Sequence, residues 1–62
     1  MYFDVYKEQD AREPYFFVAK GNNNEAVFTS EKYASKQGAM NAIDMVKREA
    51  KAADVFDETG ER

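Results

Sequence analysis

The sequence contains no cysteine and no histidine. Without cysteine, no disulfide can staple the fold and no thiolate can hold a metal. Without either residue, a Ser–His–Asp triad, a cysteine nucleophile and an imidazole general base are all excluded. Zinc, iron and copper sites lose their ordinary donors as well. No apolar run approaches the roughly 20 residues of a membrane-spanning helix. The opening Met1-Tyr2-Phe3-Asp4 lacks the basic-then-apolar order of a secretory leader. These absences predict a soluble cytoplasmic protein with no metal, no cofactor and no membrane partner. Basic residues are outnumbered too: 9 Lys and Arg against 12 Asp and Glu give a net charge of −3. That is the wrong sign for non-specific nucleic-acid binding, which lysine and arginine drive by releasing counterions.

What the chain does have is aromatic surface. Four tyrosines and five phenylalanines make 15% of 62 residues. A chain this apolar folds, but a single small core rarely supplies more than roughly 3–5 kcal/mol. With no disulfide or metal, very good packing or self-association must make up the rest.

The pattern along the chain predicts one α+β domain, residues 1–62. Tyr2-Phe3-Asp4-Val5-Tyr6-Lys7 is rich in aromatic and β-branched residues and reads as a strand over 2–7. Its Phe3 and Val5 lie on one face, and Tyr2, Asp4 and Tyr6 on the other. The polar stretch 8–14 ends in the only proline, Pro14, and reads as a loop. The second strand, 15–20, is apolar on both faces: Tyr15, Phe17 and Ala19 point one way, Phe16 and Val18 the other. Gly21-Asn22-Asn23-Asn24 suits the positive φ of a hairpin turn, and a third strand follows over 25–30. Ala39, Ala42, Ile43, Val46 and Ala50 then recur at helical spacing, which predicts a helix over about 36–51 with Ser35 as its N-cap. Gly38 stands where a capping box would carry Glu or Gln. The tail, 52–62, holds one apolar pair, Val55-Phe56, and is expected to add a short strand or dock on an edge while its last residues fray.

The order is therefore β-β-β-α, an antiparallel meander with one helix. One helix covers only one face of the sheet. The aromatics of the other face would meet water as an apolar patch, and such patches mark interfaces. The sequence thus predicts a homodimer, with Tyr15, Phe16 and Val18 as interface residues.

The stretch from Thr29 to Lys47 also resembles the YegP-like family of small proteins of unknown function. The resemblance rests on Thr29, Ser30, Glu31, Tyr33, Ser35, Lys36, Ala39, Ile43, Val46 and Lys47, on the opening Phe3-Asp4-Val5-Tyr6-Lys7, and on the tail around Ala53-Asp54-Val55-Phe56. It spans about residues 2–59. It implies a strand–strand–strand–helix unit that occurs in tandem, or, in single-unit members, pairs as a homodimer. It implies no activity. The family tends to carry arginines where Phe16 and Val18 stand, and glycine where Lys32 stands. A lysine held at positive φ there would cost about 1 kcal/mol.

Chemistry is confined to carboxylates, lysines and tyrosines. Asp54, Asp57, Glu58 and Glu61 crowd the tail but lack the rigid cleft that acid–base pairs need, and they read as a solvated tail. Ser35, Lys36, Gln37 and Gly38, at the start of the helix, form a candidate anion site for phosphate or a nucleotide; Ser30 and Lys32 lie nearby. The same residues serve equally as a cap and a close helix–strand contact, and the glycine-rich run of a P-loop is missing. Tyr2, Tyr6, Tyr15, Phe16, Phe17 and Phe28 could offer a stacking platform to single-stranded nucleic acid, but only Lys7 and Lys20 on these strands supply charge. The reading that emerges is a non-enzymatic structural or interaction module, with self as the expected partner. An anion-binding protein and a weak nucleic-acid binder are the competing classes.

Overall fold

A computed structural model describes residues 1–61. It has the β-β-β-α order: β1 (Tyr2–Lys7), β2 (Tyr15–Lys20), β3 (Ala26–Thr29) and α1 (Lys36–Glu49), closed by a 3-10 turn over Ala50–Ala52. The strands form one antiparallel sheet in the order β1-β2-β3. Phe3 pairs with Ala19 and Val5 with Phe17, so the alternation of both strands brings their apolar residues onto one face. α1 lies across that face, chiefly on β2. Among the described residues no helix is long and apolar enough to cross a membrane.

The core sits at this seam. Phe17, Ala19, Ala39 and Ile43 are buried, with both alanines fully inaccessible. Phe3, Val5, Tyr15, Tyr33, Ala42 and Val46 pack around them. Small residues at Ala19 and Ala39 let helix and sheet approach, and Phe17 fills the space beside them. Its ring meets Phe3 edge-on at 5.8 Å, Phe28 edge-on at 6.2 Å and Tyr33 in a stack at 6.4 Å. Fully burying one such side chain contributes about 1.5–3 kcal/mol.

Local chemistry sets the boundaries. The 21–24 turn closes with Gly21 N–H donating to Glu25 O and Asn24 N–H donating to Gly21 O. Asn24 takes φ 66°, which asparagine tolerates better than most residues. Asp10 does the same at φ 59° in the β1–β2 loop, and Glu8 N–H closes that loop on Pro14 O. Lys32 has no positive φ, so lysine stands there without backbone strain. α1 starts at Ser35, whose extended backbone and Oγ, accepting from Gly38 N–H at 3.0 Å, form the expected cap. Lys47 and Arg48 sit in its last turn, where the helix dipole favours cations.

Three expectations are corrected. The α-helix ends at Glu49 rather than 51, its last turn tightening to 3-10, a common way for a helix to close without a glycine cap. β3 spans Ala26–Thr29 rather than 25–30: the register slips beside Ala19 and Lys20, and Ser30, past the strand's end, keeps its N–H bond to Phe17 O and a side-chain bond from Phe17 N–H. The tail adds no strand among the described residues: 53–61 is irregular and exposed.

Candidate functional site

Three surfaces contain the residues singled out above. The first is the corner between β3 and α1. Ser30 N–H donates to Phe17 O, and its Oγ accepts from Phe17 N–H, both at 2.9 Å. Tyr33 then exchanges two backbone hydrogen bonds with Tyr15. The chain therefore leaves β2 after Ser30 and returns at Tyr33, with Glu31 and Lys32 displaced from the sheet. Ser35 Oγ is engaged by its own helix, and Gln37 Nε2 donates to Asn41 Oδ1 at 2.9 Å. A β-carbon on Gly38 would come within 3.3 Å of Ser35 Oγ, so glycine makes room for the cap. Lys36 lines an open cleft with Val5, Tyr6, Lys7 and Tyr15. Of the anion-site candidates, then, Ser35 Oγ and the Gly38 N–H are engaged with each other, the Gln37 side chain bonds to Asn41, and Lys36 lines the cleft beside Tyr15.

The second surface is the outer face of the sheet. The structure separates the three proposed interface residues. Tyr15 packs on the core side, whereas Phe16 and Val18 lie on the outer face, as alternation along a strand requires. Nor is that face a bare apolar patch. Tyr6 stacks on Phe16 at 5.4 Å. Lys32 Nζ lies 4.1 Å from the centre of the Phe16 ring and 2.6 Å from Glu8 Oε2. Lys20 Nζ pairs with Asp4 at 2.9 Å and donates to Tyr6 Oη at 3.5 Å. The bond to Asp4, with the Tyr6 contact second, holds the Lys20 ammonium above the usual lysine range. A nucleic-acid platform needs free cations between its aromatics; of the two strand lysines, Lys20 is paired with Asp4, and Lys7 lies over the Tyr15 ring at 5.6 Å.

The third surface is the tail that carries the apolar pair Val55-Phe56. Val55 is 92% exposed and Phe56 79%. Next to them Asp57 Oδ1 accepts from Thr59 N–H and Oγ1, which draws its carboxyl below the usual aspartate range. The arm stands clear of the body. The molecule measures 46 × 24 × 20 Å with a radius of gyration of 14.0 Å, against roughly 10–11 Å for a compact chain of this length. At its base lie two shallow apolar depressions sharing Val46 and Ala50, one bounded by Met1 and Phe3, the other by Met45 and Ala53. Among the described residues no group of three or more acidic side chains is placed to hold a metal ion.

A family model described as a domain of unknown function, DUF1508, matches residues 10–57. A UPF0339 protein of Agrobacterium fabrum is 40% identical over 57 residues, covering 92% of this chain and 89% of the relative. One from Neisseria meningitidis serogroup B is 38% identical over 55 residues, 89% and 95% of the two chains. A third, from Mesorhizobium japonicum, is 36% identical over 55 residues, 89% and 90%.

Proposed function

The chain belongs to the DUF1508 family, the YegP-like proteins, and we propose that it works as a homodimeric interaction module in the cytoplasm and not as an enzyme. The observation that carries this reading is the apolar arm. A phenylalanine and a valine held almost wholly in water have no stabilising role in a lone chain. Exchange of arms between two copies would place Val55 and Phe56 against the depressions around Met45, Val46 and Phe3. Two-fold symmetry makes the exchange reciprocal. Four side chains then leave water, which contributes about 6–12 kcal/mol.

Sedimentation equilibrium tests it. The wild-type chain should have twice the 7.1 kDa monomer mass at tens of micromolar. Phe56→Asp should return it to monomer without loss of helix, because Phe56 touches nothing essential in the isolated fold. A monomeric wild type would refute the dimer, and a dimeric Phe56→Asp would refute the arm as its cause.

A further inference from the structure

The outer face of the sheet presents Tyr6, Phe16 and Val18 side by side, the composition that invites a second sheet to stack on it. Yet the cations of two ion pairs are drawn onto this surface. Lys32 reaches it because the chain steps out of the sheet between Ser30 and Tyr33. From there its ammonium lies over Phe16 at 4.1 Å while bonded to Glu8 at 2.6 Å. Lys20, rooted in β2 itself, bridges Asp4 and the Tyr6 hydroxyl. Both ion pairs remain partly solvated, with side-chain exposures of 40% and 52% for Lys32 and Glu8, and 25% and 38% for Lys20 and Asp4. A second copy stacked on the face would strip that water away, and desolvating an ion pair can cost more than the pair returns.

The geometry points to Lys32 as a clasp that keeps the outer face from self-association, so that copies meet elsewhere. The clasp joins the β1–β2 loop, through Glu8, to the β3–α1 corner, and closes over Phe16. Lys20 and Asp4 guard the neighbouring half of the face. The inference is independent of the arm, since it concerns the opposite side of the sheet from α1.

The test has two parts. In the wild-type chain, the Phe16 ring current should move the Lys32 side-chain methylene protons upfield, and Phe16→Thr should abolish the shift. Unshifted methylenes would overturn the clasp directly, whatever the association state. In light scattering from about 10 μM to 1 mM, Lys32→Ser should associate one step beyond the wild type, with a dissociation constant at least tenfold lower for that step. The double variant Lys32→Ser/Phe16→Thr should lose the extra association. Lys32→Gln, which keeps two of the four methylenes and removes the charge, serves if Lys32→Ser folds poorly. The same mass for wild type and both Lys32 variants would overturn the proposal, as would extra association that survives Phe16→Thr.

Discussion

Replacing Phe17 with leucine tests the packing account most sharply. Phe17 is 2% exposed and meets three aromatic rings at 5.8, 6.2 and 6.4 Å. Truncation to alanine would cost about 3–5 kcal/mol, roughly the whole stability of a domain this small, and would only report an unfolded chain. Leucine keeps the site apolar and much of its volume, but it removes the ring that three neighbours share. Aromatic pairs contribute about 0.5–1.5 kcal/mol each beyond burial. Allowing for partial repacking, Phe17→Leu should cost about 2 kcal/mol. With a urea slope of about 1 kcal/mol/M, the midpoint should fall by about 2 M at unchanged slope. Circular dichroism at fixed protein concentration is the assay, because self-association would otherwise move the midpoint. Phe56→Leu is the control: at 79% exposure it should change the monomer's stability by no more than about 0.5 kcal/mol. A fall below about 0.5 M for Phe17→Leu would refute Phe17 as the hub of the core.

The corner offers two graded tests. Ser30→Ala leaves the half-buried Phe17 N–H without its acceptor and should cost about 1–3 kcal/mol; Ser35→Ala removes the cap and should cost about 1 kcal/mol. An exposed anion-site serine would instead be nearly silent in urea denaturation. Alkaline pH should loosen the outer face. The raised Lys20 group favours its charged form in the fold, so its contribution is complete below 10.5, the ordinary lysine value, and is lost as pH rises through the folded value. Comparing wild type with Lys20→Gln at about pH 9 and pH 11.5 should show the gap between them narrowing.

The periodic elements were legible in the sequence because they obey local rules. The strand alternation places Phe3, Val5, Phe17 and Ala19 together, the helical stripe places Ala39 and Ile43 on them, and Ser35 caps as its chemistry suggests. The site was less legible. Strand alternation already set Tyr15 on the other face from Phe16 and Val18, and the core takes it. Ser30 lies near the candidate anion site in sequence, yet its hydroxyl serves a backbone N–H 13 positions away, a long-range partner that no local pattern announces. Lys32 over Phe16 depends on a two-residue departure from the sheet, and composition says nothing about it. The arm did carry a signal: two adjacent large apolar residues amid acidic ones. Sequence could place them outside the helix but could not show that they lie beyond the reach of their own core.

The return at Tyr33 also decides where this chain can change length. The β1–β2 loop touches little of the core, and each doubling of such a loop costs only about 0.6 kcal/mol, so insertions near Ala11 and Arg12 should be absorbed. Between Ser30 and Tyr33 there is no such freedom. Adding or removing one residue would either pull Ser30 from Phe17 or turn the Tyr33 ring away from it. Length variation among related chains should therefore gather before Pro14 and spare this connection, whose residue count matters more to the fold than the identity of the side chains it carries outside the sheet.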